Sequence, residues 1–328
     1  MSEKVPVNAP VILFAYNRPD LLRRTLDALE QNELAAETDV IAYSDGPRNS
    51  PEDRNLVAQV RAELDKPRKF HSLIHIDADR NKGLANSIID GITESIEKFN
   101  RVIVLEDDLL PSPFFLRYMN DALNQYENDE RIASIHAHFP ASPDNLPETF
   151  FLCGANCWGW ATWKRSWSLF ERDGRILLKK LKQSGLQKRF DYNGSYTYSE
   201  MLKSQVRGNT ESWAIRWYAS TFLAGKLTLN TAYSLVYHTG FQSGTHFSAN
   251  NGTGQEEEQF RPVPVSVETI PVECSAAATA ALEAYYREIT WLPPAKRFLK
   301  NVRDFVRNAT PAPVLRFYRK LKKQCCKS

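Results

Sequence analysis

The sequence is poor in the features that mark chains built for membranes, secretion or disulfide-stapled folds. No run approaches the roughly 18 uninterrupted apolar residues of a membrane-spanning helix, and the opening MSEKVPVNAP lacks the basic-then-apolar order of a secretion signal. A cytoplasmic protein is the expectation. Cysteine is scarce: Cys153, Cys157, Cys274, Cys325 and Cys326 form no paired framework and are read as reduced thiols. Cys153 and Cys157 lack the further Cys or His neighbours that a zinc site needs. There is no internal repeat and no C-terminal prenylation box. VILFAYNRPDLL contains no glycine, which argues against the Gly-rich phosphate loop near the N-terminus of a sugar nucleotidyltransferase.

What is present is an ordinary globular composition over 328 residues, 42% hydrophobic and 25% charged, enough for one large or two modest domains. The net charge of +3 is unevenly spread. Residues 296–328 hold eleven Lys or Arg against Asp304, a local +10 that leaves −7 for residues 1–295. In that tail KRFLKNVRDFVRN sets Phe298, Leu299, Val302, Phe305 and Val306 on one helical face with basic residues opposite. An anionic membrane surface is the partner this predicts, with the protein peripheral on the inner face of the membrane. Without an interleaved readout motif, nucleic acid is not expected.

Apolar runs alternate with helical stripes through the first 130 residues. VILFAYNR (Val11 to Arg18) reads as a buried strand, and Pro19 opens a helix with Leu22, Leu26 and Leu29 on one face. DVIAYSDG (Asp39 to Gly46) is a second strand, followed by a helix capped by Ser50, with Leu56, Val60 and Leu64 inward. FHSLIHID (Phe70 to Asp77) is a third, and Leu84, Ile88, Ile92 and Ile96 recur every four residues after it. RVIVL, from Arg101, is a fourth, followed by a stripe of Phe115, Tyr118, Met119, Ala122, Leu123 and Tyr126. This alternation predicts an α/β fold around a mostly parallel sheet covered on both faces. Ligands of such sheets bind at the carboxyl ends of the strands. Asn17, Arg18, Asp45, Asp77, Asp79 and Glu106 to Asp108 should therefore converge on one crevice.

Beyond residue 130 the pattern turns to short strands, aromatics and loops, with NNGTGQEEEQF (Asn250 to Phe260) reading as a mobile surface loop. Three regions are expected: an α/β half over 1–130, a mixed half over 131–265 and a C-terminal extension over 266–328.

The sharpest feature is RVIVLEDDLLPSPFF, an apolar strand running into three acids. Adjacent carboxylates repel and resist desolvation, so the turn is either solvated or answered by a cation. Hard carboxylate oxygens suit Mg2+ or Mn2+. The combination VILFAYNR, SDG, NKGLANSI and VIVLEDDLLPSPFFLRYM resembles the nucleotide-sugar half of inverting GT-A glycosyltransferases, those of the N-acetylglucosaminyltransferase I and family 2-like kinds. The resemblance covers about residues 10–247 and is sparse between the motifs.

It implies a Rossmann-like GT-A fold, with a nucleotide-sugar-binding half over 1–130 and an acceptor half over 131–265, and transfer of a sugar, with inversion, from a nucleoside diphosphate donor, expected to be UDP-linked, to a hydroxyl of a glycan or lipid-linked acceptor. Surface polysaccharide assembly is the setting it suggests. Position by position, it makes Asp108 the metal ligand, sets Asp107 at the ribose and Glu106 at the donor sugar, and gives Asp45 the nucleobase. Arg18 would lie beside base and phosphate, and Lys82 near the nucleotide. The acid of NTESWAIRW, Glu211, would be the general base, where the family more often has Asp. Gly159 and Trp160 would wall the sugar, and His246 rather than His238 would bring a late loop onto the metal. His136 and His138 receive no role. A nucleotidyltransferase and a catalytically silent nucleotide-sugar or membrane-surface binding protein are the alternatives.

Overall fold

In the computed structural model, residues 8–141, 145–239 and 260–290 are described. Eight strands form one sheet in the order β3-β2-β1-β4-β8-β6-β9-β7. These are β1 (Val11–Ala15), β2 (Asp39–Ser44), β3 (Ser72–Asp77), β4 (Arg101–Glu106), β6 (Ile132–His136), β7 (Thr149–Cys153), β8 (Trp160–Trp163) and β9 (Leu227–Thr231). β1 lies centrally in the first half, parallel to β2 (Val11 opposite Val40) and to β4 (Val11 opposite Ile103), and β3 continues the parallel run. β8 then joins β4 antiparallel, with Val104 opposite Trp160, so the sheet passes without a break across residue 130. β6 runs parallel to β9, while β7 closes the far edge antiparallel to β9.

The pleat of β1 sorts its side chains by turns. Val11, Leu13 and Ala15 join the core formed with α1 (Pro19–Glu30) and α4 (Phe115–Gln125). Ile12 and Phe14 join the core formed with α3 (Leu84–Phe99). A strand buried on both faces must be apolar at every position, and all five residues of β1 are. α2 (Pro51–Leu64) begins as its sequence dictates, Ser50 Oγ accepting from Asp53 N at 3.0 Å.

Two registers differ from the sequence reading. In α2 Val57 is buried with Val60 and Leu64 while Leu56 is only partly covered, and in α3 Leu84 is exposed while Ala85 and Ile89 join Ile88, Ile92 and Ile96 inside. A strict four-residue repeat drifts around a helix of 3.6 residues per turn, so the first member leaves the buried stripe.

The second half adds α5 (Lys164–Trp167), α6 (Gly174–Ser184), α7 (Gln187–Phe190), α8 (Tyr198–Val206), α9 (Ala214–Leu223) and α10 (Ala276–Thr290). α10 packs Ala278, Leu282 and Tyr286 against Phe139, Phe150 and Leu152. A small second sheet pairs β5 (Leu109–Pro111) with β10 (Val236–His238) antiparallel, placing His238 opposite Leu109. Among the described residues, no helix is long and apolar enough to cross a membrane. The basic tail over 296–328, with Cys325 and Cys326, lies outside the described residues.

Candidate active site

The three acids end β4 and are largely withdrawn from solvent: Asp107 is 1% exposed and Asp108 7%. What answers their repulsion inside the chain is Arg18, the residue just before α1. Its Nη1 donates to Asp108 Oδ2 at 2.6 Å and its Nη2 to Asp107 Oδ1. Burial works against the guanidinium charge, but Asp107 and then Asp108 outweigh it and push Arg18 above its ordinary value. Burial pushes Asp107 up to about 6, against the pull of Arg18. Glu106 is pushed up to about 8 by burial and then by Asp108 and Asp107, against the pull of Arg18. The backbone of the turn is pinned. Asp107 N donates to Phe14 O at 3.0 Å, Thr25 Oγ1 to Asp107 O at 2.9 Å, and Thr239 N to Asp108 O at 2.9 Å.

Asp45 sits at the end of β2, the neighbouring strand, and is 6% exposed. Its Oδ1 accepts from Gly46 N and Lys82 N, both at 2.8 Å, and its Oδ2 from Gly83 N at 3.0 Å and Asn81 Nδ2 at 3.1 Å. Four donors fill a carboxylate. Its place in the fold is thus to hold the 81–83 loop, where the resemblance assigns it to the base. Lys82 itself is exposed and lines a cavity of about 420 Å³ with Arg80, Asn81, Asn86 and Asp90. Gly83, at φ +79°, brings the loop beside Glu211, whose Oε2 would stand 3.4 Å from a Cβ added there. Glu211 is exposed, on the segment leading into α9. The structure thereby joins β3–α3 to the acid that the sequence singled out 128 positions later.

Asp77 and Asp79 do not join this crevice. Asp77 pairs with Arg61 at 3.3 Å and with His75 at 2.9 Å on the β3 edge, and Asp79 is exposed. Two further assignments are corrected. Trp160 is 0% exposed and stacks with Trp213 at 5.6 Å between ring centroids, inside the core that holds Trp217 and Trp167. Its ring packs on three other tryptophans, Trp167, Trp213 and Trp217. Its strand pairs in the middle of the sheet and is covered on that face by α3 and α9, so the ring is core. Gly159, at φ +61°, leaves room for protein, since a Cβ there would meet Val236 Cγ1 at 2.7 Å and Phe115 Cε2 at 3.2 Å.

The residues that do border the acids from this segment are the two before Gly159. Burial, then the Glu106 charge, pushes the Cys157 thiol well up. Trp158 lies between His138 and His238, each 4.8 Å away by ring centroid. His238 Nε2 in turn faces Asp108 Oδ2 at 3.8 Å. Sequence reasoning preferred His246, which lies outside the described residues, and missed His238 because only the pairing of β10 with β5 carries it to the acids. His136, also without an assigned role, is fully buried. Its Nε2 accepts from Trp158 N at 3.3 Å while its Nδ1 faces Asn230 Oδ1 at 3.2 Å, and burial lowers it to about 4.

A second polar cluster was also overlooked, beside the end of β1. Asp53 accepts from Tyr16 OH at 2.5 Å, Asn17 Nδ2 at 2.8 Å and Arg48 N at 2.5 Å. Burial and then Asp53 raise Tyr16 to about 12. The only sequence signal was polar residues in the two loops, which is shared by any surface turn.

For a divalent cation the fit is reasonable. Asp108 and His238 face one another with side chains only 10% exposed each, and the hard oxygens of Glu106 and Asp107 adjoin them. Among the described residues no group of three or more His, Cys, Asp or Glu is placed to hold a metal ion, so Asp108 and His238 would need further ligands.

Comparison with known proteins gives the crevice its context. The sequence profile of Glycosyl transferase family 2 matches residues 11–188, more than half of the chain. No curated protein matches it. Among solved structures, the 1–349 fragment of Staphylococcus aureus TarS is similar at 11% identity, covering 72% of this chain and 61% of that one, with a TM-score of 0.41. A putative nucleotide-diphospho-sugar transferase from Desulfovibrio desulfuricans G20 is similar at 12% identity over 51% and 68% of the chains, with a TM-score of 0.32. Glucosyl-3-phosphoglycerate synthase from Mycobacterium tuberculosis, in complex with Mn2+, UDP and phosphoglyceric acid, is similar at 13% identity over 56% and 67%, with a TM-score of 0.33. The chain thus spans less than two thirds of the TarS fragment.

Proposed function

The chain belongs to glycosyl transferase family 2, and from that premise we propose that it moves a sugar, with inversion, from a UDP-linked donor to a hydroxyl of a glycan or lipid-linked acceptor in surface polysaccharide assembly. The observation that carries this reading is the buried Glu106-Asp107-Asp108 turn at the end of β4, faced by Arg18 and His238 in the crevice where parallel sheets bind ligands.

Asp108 and His238 would hold Mg2+ or Mn2+, whose contribution when bound is to offset the charge of the donor diphosphate. Arg18, released from the carboxylates, has the fork geometry for a phosphate oxygen pair. Glu106 and Asp107 accept hydrogen bonds from donor hydroxyls, and the loop braced by Asp45 carries Lys82 to the nucleotide. Trp158 replaces Trp160 as the aromatic surface toward the sugar.

Glu211 acts as the general base. Its carboxylate takes the proton of the acceptor hydroxyl as that oxygen attacks the anomeric carbon, and the bond to the diphosphate breaks on the opposite side. Its exposed place beside Gly83 leaves room for an acceptor. The membrane-surface role of residues 296–328 is part of the same proposal, with removal of that segment expected to release the protein from anionic vesicles.

The test is a panel of UDP-, GDP- and dTDP-sugars measured by calorimetry with and without Mn2+, together with slow donor hydrolysis. Metal-dependent binding and hydrolysis of a UDP-sugar support the proposal. Binding without hydrolysis or transfer would favour a silent binding protein, and no binding of any donor would remove the reading.

A further inference from the structure

Away from this crevice, two thiols and an arginine meet at the opposite edge of the sheet. Cys153 ends β7, the last strand. Cys274 lies just ahead of α10, where an isolated bridge pairs it with Phe151 and Ser275 N donates to Phe151 O at 2.8 Å. The two side chains touch, the Cys153 thiol donating a hydrogen bond to the Cys274 sulfur. Arg189 of α7 donates from Nη2 to Cys153 Sγ at 3.0 Å and sits against Cys274 as well. Thr279 Oγ1 stands 3.7 Å from Cys274 Sγ. Both cysteines are half-buried, so small reagents reach them.

We propose that Cys153 and Cys274 form a redox-active dithiol that is converted to an intramolecular disulfide by exchange with a low-molecular-weight disulfide. One of the two, as thiolate, attacks one sulfur of the reagent, forming a mixed disulfide and expelling one small thiol. The other then loses its proton to solvent and attacks the first protein sulfur, expelling the second. Two protein thiols and one small disulfide become one protein disulfide and two small thiols.

Several features select this pair. Exchange requires a thiolate, and a guanidinium held against both sulfurs favours the charged form. Cys274 is pulled down to about 6, first by the hydrogen bond from Cys153 and against burial, then by Thr279 and Arg189. Cys153 is pushed up by that same bond and by burial. At Cys157, burial and then the Glu106 charge favour the neutral thiol. The product would join β7 covalently to the segment that starts α10, closing a loop of about 120 residues.

The experiment treats the full chain carrying Cys325→Ser and Cys326→Ser with oxidised glutathione at neutral pH, followed by peptide mass mapping without reductant. The expected product is one cross-linked peptide pair containing Cys153 and Cys274, two hydrogens lighter and reversed by dithiothreitol. Cys153→Ser and Cys274→Ser should each stop the reaction at a glutathione adduct on the remaining cysteine. Arg189→Gln should slow the first step by roughly tenfold. The proposal is overturned if the unsubstituted pair yields no 153–274 cross-link, if Arg189→Gln leaves the rate unchanged, or if Cys157 reacts as fast as the pair.

Discussion

The turn at Glu106 to Asp108 and the segment from Trp158 to Trp167 both hold residue types that bind sugars and nucleotides, yet the fold treats them oppositely. The acids follow the last residue of a parallel strand, where the chain must leave the sheet, so their side chains fall in the crevice despite their burial. The tryptophans enter the middle of the same sheet, where β8 pairs with β4 and β6, so Trp160 turns into a core with Trp213 and Trp217. Position relative to the strand end decides function here, more than residue type does. Trp158 makes the point within one segment: two residues before Trp160, still ahead of the strand, it packs on His238, which faces Asp108.

Substitutions should separate the two regions. Asp108→Ala is expected to lower kcat by at least about a thousandfold while leaving the folded circular dichroism spectrum intact; turnover near wild type would detach the turn from catalysis. For Glu211→Gln a loss of about a hundredfold in kcat is expected with donor affinity unchanged, read by pairing a transfer assay with calorimetry. Weaker donor binding at normal kcat would give Glu211 to the donor instead.

Trp160→Ala should act wholly on stability, costing about 3–5 kcal/mol in denaturant unfolding, whereas Trp160→Phe should keep the donor KM. A raised KM in a stable Trp160→Phe chain would return that ring to the site. His238→Ala should weaken Mn2+-dependent donor binding by roughly tenfold without changing binding in the absence of metal.

A pH-dependent effect concerns His136 in the core between the regions. It is held at about 4, below its unfolded value of 6.5, so the unfolded chain takes up a proton that the folded chain refuses between those values. Its contribution to stability is therefore complete above pH 6.5 and is lost as pH falls toward 4, by up to about 1.4 kcal/mol per pH unit. His136→Gln should flatten that part of a stability-against-pH curve relative to wild type.

Much of the first half was legible because parallel strands covered on both faces leave a continuous apolar signature, as in Val11 to Ala15. Pro19 and the Ser50 cap marked helix starts that the structure retains. At the site, Arg18 and the three acids stood out by charge, and their proximity follows from β1 and β4 being neighbours. His238 and Trp158 were illegible as a pair, because the β5–β10 ladder joins residues more than 120 positions apart and has only three residues per strand to announce itself.

By itself, then, the sequence determined the strand and helix order of residues 11–125, the apolar faces that pack them and the acidic turn at the end of β4, since periodicity and charge are local properties of a chain. Tertiary structure decided which cation answers that turn within the chain, with Arg18 bridging Asp107 and Asp108, and it saturated Asp45 with loop donors. It also sent Trp160 inward and His238 to Asp108, and it brought Cys153 to Cys274. Those outcomes depend on strand pairing across long separations, where loop closure and the burial of whole faces outweigh what any single residue prefers.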